Sequence, residues 1–213
     1  MRKRYRTPTP ESYPNSISMR IGDRELHYEK AMSLRYGENP HQPAALYRLR
    51  DSPAIIGGLE LLKMGKGGLS ETNVEDIDNA LNILKYFEQP ACAVMKHLNP
   101  SGVAAARPGD SLRDVYIRAR DCDRQAAFGS VVEVDAETAE EMISTFVEVV
   151  AAPAYGEGAL EVFQGRRSLR VVRINDPRML PRYIGDEVRH LRLRVLADGS
   201  IVLSTPLLTG VRG

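Results

Sequence analysis

The feature that most constrains this chain is a run of five residues without a polar side chain, Ala91-Cys92-Ala93-Val94-Met95. Five residues are too few for a buried helix. An unbroken apolar run of that length is the pattern of a strand covered on both faces. Comparable strand-length segments follow at Phe128–Val134, Val147–Ala152 and Leu169–Ile174, and a short one precedes at Ala44–Leu49. Between them lie helical patterns. Thr72 and Glu75 have capping-box spacing, and Val74, Ile77, Ala80, Leu81, Leu84 and Phe87 then recur at helical intervals until Pro90. Ser111 and Asp114 open a second helix, with Leu112, Val115, Tyr116 and Ala119 on one face. Asp135 caps a third through about Ser144, and Glu157–Phe163 reads as a short fourth. Leu191–Leu196 and Ser200–Ser204 flank Asp198-Gly199, a hairpin signal. Strand alternating with helix predicts an α/β sandwich on a mixed, largely parallel sheet. Ligands of such sheets lie beyond the carboxyl ends of the strands, so chemistry is sought after Met95, around Phe128 and after Ala152.

Several function classes fall away. The chain has no run of 18 apolar residues, and the N-terminus MRKRYRTPTP has no apolar stretch behind its charges, so neither a membrane span nor a secretory signal is predicted. Two cysteines, Cys92 and Cys122, support neither a disulfide framework nor a four-cysteine zinc site, and point to a cytoplasmic location. With 29 basic against 28 acidic side chains, the net charge of +1 argues against wholesale nucleic-acid binding. The charge is uneven, however. Residues 1–18 carry Arg2, Lys3, Arg4 and Arg6 followed by Pro8, Pro10 and Pro14, which predicts a flexible basic arm ahead of one α/β domain at 19–213. Nine arginines lie between Gly165 and Arg194, either a solvated face or a surface for anionic groups.

Chemistry concentrates in two places. Lys96 and His97 stand where the first apolar strand meets Leu98-Asn99-Pro100-Ser101-Gly102, predicted to be a loop. A histidine moves protons near neutral pH, and a neighbouring cation holds developing negative charge. The same pair also fits two polar residues leaving a sheet into water. The second place is Leu34–Gln42, where Arg35, Tyr36, Asn39, His41 and Gln42 offer a guanidinium, a phenol, an imidazole and two amides. That set suits a phosphorylated small molecule, and it suits an ordinary loop. Lys63–Gly68 lacks the spacing of a phosphate loop and reads as a flexible hairpin or lid. No His-x-Glu with Pro-Cys-x-x-Cys is present, which excludes a zinc deaminase mechanism, and no metal site is predicted.

Four segments in order, LRYGENPHQPAALY (34–47), VMKHLNPSGVA (94–104), DRQAAFGSVV (123–132) and FVEVVAAPAYGEGALEVF (146–163), strongly resemble the transformylase domain of the AICAR transformylase/IMP cyclohydrolase family. The resemblance covers about residues 34–205, with no counterpart of the cyclohydrolase domain. It implies a cytidine-deaminase-like three-layer sandwich working as an intertwined dimer, and formyl transfer from 10-formyltetrahydrofolate to the 5-amino group of AICAR, giving FAICAR for purine synthesis. On this resemblance Lys96 and His97 form the catalytic pair, with His97 transferring the proton and Lys96 stabilising the formyl oxygen. Arg35 and Tyr36 fall on residues at the phosphate end of the nucleotide. Phe128 and Gly129 fall on contacts to the aminoimidazole, and Glu148 on an acidic position near the substrate. His41 and Asn99 belong to the same motifs.

Departures accompany the matches. Ser101 stands where a small residue or cysteine is common, and Ala126–Ser130 replaces a run that usually carries serine. The family domain continues past a point like Gly213 into a second deaminase-like unit, which supplies much of the folate pocket, an asparagine and a potassium site. The expected protein is therefore a formyltransferase acting with a second half or as an oligomer. The alternatives are a non-catalytic AICAR or purine-nucleotide sensor, and a binder of RNA or another anionic partner, which lacks an aromatic platform.

Overall fold

The computed structural model describes residues 10–123, 129–131 and 133–211. Strands β1 (Ser16–Ile21), β2 (Arg24–Ser33) and β3 (Ala45–Leu49) form a small antiparallel sheet. There follow β4 (Glu60–Lys63), α1 (Glu71–Leu84), β5 (Ala91–Lys96), β6 (Asn99–Ala105) and α2 (Leu112–Asp121). The chain continues through β7 (Gly129–Val131), β8 (Glu133–Val134), α3 (Ala136–Ser144), β9 (Val149–Ala152) and β10 (Ala154–Tyr155). After α4 (Ala159–Gln164) and β11 (Arg170–Arg173), the hairpin β12 (Arg192–Val195) and β13 (Ile201–Ser204) completes the described elements.

The central sheet has the order β4-β11-β9-β7-β5-β6. Only β11/β9 and β9/β7 pair in parallel, while β4/β11, β7/β5 and β5/β6 are antiparallel. The expected α/β class and mixed sheet are present, but the sheet is not largely parallel. The cause is local. Lys96 pairs with Asn99 across two residues, and a connection that short can join only antiparallel strands.

The apolar runs behave as strands covered on both faces. Ala91, Ala93 and Met95 join Val149, Ala151 and Val172 on one side, against Val74, Ile77, Ala80, Leu81 and Leu84 of α1. The intervening Cys92 and Val94 join Val150, Ala152 and Val171 on the other. That second core is completed by Val115, Tyr116 and Ala119 of α2, Ala139 and Met142 of α3, and Ala159 and Phe163 of α4. A period of two in the strands thus feeds two cores, and helices cover both. Burying one large aliphatic side chain of this kind contributes about 1.5–3 kcal/mol.

Three local expectations are corrected. Helix α1 is capped by Ser70, whose hydroxyl accepts Asn73 N–H at 3.2 Å while Asn73 Oδ1 accepts Ser70 N–H at 3.1 Å, so Thr72 and Glu75 lie inside the helix. Pro100-Ser101-Gly102 belongs to strand β6 instead of a loop. Proline is tolerated there because β6 is an edge strand and the register shifts at Val94/Met95. A methyl group on Gly102 would lie 1.9 Å from the Ala119 carbonyl oxygen, so glycine is what lets α2 pack on this strand. Residues 16–18, assigned to the basic arm, are the start of β1, and Lys30 Nζ donates to Glu11 Oε1 at 2.8 Å and to Oε2 at 3.0 Å. Residues 1–9 of that arm lie outside the described residues. The caps of α2 (Ser111 with Asp114) and α3 (Asp135) are as predicted. No helix among the described residues is long and apolar enough to cross a membrane.

Candidate active site at one end of the central sheet

Strand β5 runs against β7 and β9, and this decides which groups meet. Its carboxyl end brings Lys96 and His97 to the end of the sheet where β7 begins at Gly129, paired with Val94 and Val150, and where Glu148 leads into β9. The rule of carboxyl ends therefore locates Lys96 and His97 only. Gly129 and Glu148 reach the same edge from the amino ends of their strands, and the segment after Ala152 is at the opposite end.

At this edge lies a cavity of about 410 Å³ lined by Tyr36, Glu38, Ser70, Thr72, Asn73, Asp76, Met95, Lys96, His97, Phe146 and Glu148. Of the residues singled out from sequence, Tyr36, Lys96, His97 and Glu148 line it. Arg35 stands beside it, its guanidinium carbon 5.2 Å from the centre of the Tyr36 ring and its stem next to Gly67. The Arg35 side chain donates no hydrogen bond to a described residue and so is available to an anion. His41 and Asn99 do not line the cavity. His41 sits in the turn closed by Gln42 N–H to the Asn39 carbonyl at 2.9 Å. Asn99 Nδ2 donates to the His97 carbonyl at 3.0 Å, so it shapes the hairpin tip. Phe128 lies outside the described residues.

The hairpin tip is unusual. His97 and Leu98 both have positive φ, +47° and +70°. Asp76 Oδ1 on α1 accepts the Leu98 N–H at 2.8 Å, and Asn79 Nδ2 donates to the Leu98 carbonyl at 3.2 Å. Burial pushes the Asp76 carboxyl above its ordinary value, against the opposing pull of the Leu98 N–H and the nearby His97. The imidazole of His97 and the ammonium of Lys96 are exposed and make no side-chain hydrogen bond to a described residue.

Glu148 is 46% exposed and is held from below by Arg170, which is 1% exposed, at 2.8 Å. Arg170 also donates through Nε to the Gly68 carbonyl at 3.1 Å, tying the glycine-rich segment to the site. Lys63 Nζ donates to the Arg166 and Leu169 carbonyls at 2.6 and 3.2 Å, and a methyl on Gly65 would lie 2.5 Å from the Ser168 carbonyl oxygen. The Lys63–Gly68 segment is therefore packed on the chain ahead of β11 instead of forming a lid.

Glu38, Asp76, Asn73 and Phe146 were not predicted. The signal for Asp76 was present, since it shares a helix face with Asn73 and Asn79 at intervals of three. A larger cavity of about 680 Å³, lined by Tyr28, Arg48, Ile55, Asp78, Leu180 and His190 among others, contains none of the predicted site residues. Among the described residues, no group of three or more His, Cys, Asp or Glu could hold a metal ion.

The chain was also compared with known protein families. Residues 7–202 match the model of the AICARFT/IMPCHase bienzyme family. The chain belongs to that family. It is 44% identical over 169 residues to the bifunctional purine biosynthesis protein PurH of Sorangium cellulosum, covering 76% of this chain and 30% of that protein. It is 39% identical over 197 residues to PurH of Clostridium perfringens, covering 91% of this chain and 35% of the relative. PurH of Acetivibrio thermocellus is 36% identical over 171 residues. The chain spans about a third of the length of these relatives.

Proposed function

We propose that this chain carries the AICAR-binding and proton-transfer half of a formyltransferase site for purine synthesis. The observation that carries the reading is the meeting of Lys96, His97, Tyr36 and Glu148 in one cavity, with the Arg35 guanidinium beside it. In this reading the 5-amino nitrogen of AICAR attacks the formyl carbon of 10-formyltetrahydrofolate. The C–N bond to AICAR forms, and negative charge gathers on the formyl oxygen, where the Lys96 ammonium holds it. His97 takes the proton lost by the attacking amine and delivers it to folate N10 as the bond from the formyl carbon to that nitrogen breaks. FAICAR and tetrahydrofolate leave. Arg35 and Tyr36 serve the phosphate end of the nucleotide, and Glu148, set by Arg170, orients the polar edge of the heterocycle. Phe128 and Gly129 belong beside the aminoimidazole, and the cytidine-deaminase-like sandwich is supported by the helical layers on both faces of the central sheet. In this reading the remaining folate contacts come from a second transformylase half or from a second copy in an oligomer, as the family resemblance implies.

Calorimetric titration with AICAR, followed by addition of 10-formyltetrahydrofolate and assay of tetrahydrofolate, tests this. Binding with turnover supports the formyltransferase. Binding without turnover, even with a supplied second half, favours a nucleotide sensor, and absence of both removes the reading. Arg35→Ala should weaken AICAR about 10- to 100-fold while leaving its dephosphorylated nucleoside unaffected. Equal losses for both would remove the phosphate role.

A further inference from the structure

The tip of the β5–β6 hairpin is built from residues ill suited to it. A two-residue hairpin turn with positive φ at both central positions is the conformation that Asn-Gly and Asp-Gly adopt readily. Here the positions hold His97 at +47° and Leu98 at +70°. A Cβ disfavours the left-handed region, and such a conformation persists only where the surroundings over-determine it. The surroundings in this case are one face of α1. Asp76 accepts the Leu98 N–H at 2.8 Å and Asn79 donates to the Leu98 carbonyl at 3.2 Å, so both backbone polar groups of Leu98 are held by residues three apart on that helix. Asn99 holds the His97 carbonyl at 3.0 Å from the following strand. The imidazole itself makes no hydrogen bond to a described residue, so the backbone conformation is what aims it.

We propose that Asp76 and Asn79 form a clamp that fixes the left-handed His97–Leu98 turn, which makes Asp76 a positioning residue for proton transfer by His97. The role assigned to His97 rests on the proposed function, whereas the clamp rests on the turn geometry alone. Removing the Asp76 acceptor lets the turn relax toward backbone angles that a leucine prefers, and the imidazole moves away from the amine. Asp76→Asn keeps an acceptor oxygen in place. Leu98→Gly relieves the need for the clamp, because glycine enters the left-handed region freely, and at 40% exposure Leu98 gives up little packing.

The test is amide hydrogen exchange by NMR on the 213-residue chain, joined to assay with AICAR and 10-formyltetrahydrofolate. Asp76→Ala should speed exchange at Leu98 about tenfold or more while Met95 keeps its protection. It should lower kcat at least about tenfold with KM for AICAR held within about threefold. Asp76→Asn should stay within about threefold of wild type in both respects, and adding Leu98→Gly to Asp76→Ala should recover most of the lost kcat. Unchanged exchange at Leu98 in Asp76→Ala overturns the clamp. A fall in kcat that neither Asp76→Asn nor Leu98→Gly repairs overturns the positioning role. Should Asp76→Ala fail to fold, Asn79→Ala carries the exchange measurement, with the same acceleration expected. If the wild-type chain transfers no formyl group under any pairing, the proposed function fails, while fast exchange in Asp76→Ala still upholds the clamp.

Discussion

The β12–β13 hairpin and the β5–β6 hairpin reverse the chain in five residues and two, and they do so with different resources. Between β12 and β13 the turn is closed by its own residues. Gly199 N–H donates to the Leu196 carbonyl at 3.0 Å, Gly199 takes φ +86°, and Asp198 Oδ1 accepts the Ser200 N–H at 3.0 Å. This is a tight turn followed by a glycine in the left-handed region, and both strands are exposed along their length. Between β5 and β6 the turn positions are occupied by His97 and Leu98, which cannot close it so readily, and the missing stability comes from Asp76 and Asn79 about 20 residues earlier. A turn that keeps its glycine needs no helper. One whose central positions hold His97 and Leu98 draws its conformation from the body of the fold.

The sharpest way to break this contrast is at the tip of the first hairpin. On the proposed function, His97→Ala should lower formyl transfer about 10²- to 10⁴-fold while AICAR affinity stays within a few-fold, because that reading gives the side chain a proton to move and no part in holding the nucleotide. Stopped-flow turnover beside calorimetry reads both quantities. A matching loss of affinity would make His97 a ligand contact, and the functional difference between the hairpins would disappear.

The base of the same hairpin offers the next effect. Gly102→Ala forces a methyl to within 1.9 Å of the Ala119 carbonyl oxygen and 2.8 Å of Cys122 Cβ. Either α2 or β6 must shift, at a cost of about 1–3 kcal/mol or more. Urea unfolding would show it as a lower midpoint at unchanged slope. Because β6 pairs with β5 along its length, the displacement reaches the His97–Leu98 tip, so on the proposed function formyl transfer should fall together with stability.

How these features read from sequence divides along the same line. The β12–β13 turn was legible because Asp198-Gly199 carries its own instruction, and so were the cap of α2 at Ser111 and the buried strand Ala91–Met95, each set by neighbours in sequence. The β5–β6 turn was not. Asn99-Pro100-Ser101-Gly102 has the composition of a loop, yet α2 packs on Gly102, and Ser101 Oγ donates to the Val94 carbonyl at 3.0 Å, which fixes the segment as an edge strand. The reversal of β5 relative to β7 and β9 was hidden for the same reason, and with it the fact that Glu148 enters the site from an amino end. Lys96, His97, Tyr36 and Glu148 could be named as candidates; for Asp76 the sequence offered only its shared helix face with Asn73 and Asn79, because its part depends on a contact spanning 22 residues. Ser70 displaced Thr72 as the cap of α1 because two overlapping polar patterns competed and the earlier one closes reciprocally with Asn73.

The smallest predicted effect lies in the second hairpin and serves as the control for the first. Gly199→Ala puts a Cβ on a residue at φ +86°, where the left-handed backbone costs an L-residue about 1 kcal/mol, and no heavy atom stands within 4 Å to clash. The cost is conformational and local. Amide exchange should rise in Arg192–Ser204 and nowhere in β5 or α1, and AICAR binding and formyl transfer should match the wild-type chain. If Gly199→Ala instead altered exchange at Leu98, the two hairpins would be energetically linked, and the clamp from α1 could not be the sole support of the His97–Leu98 turn.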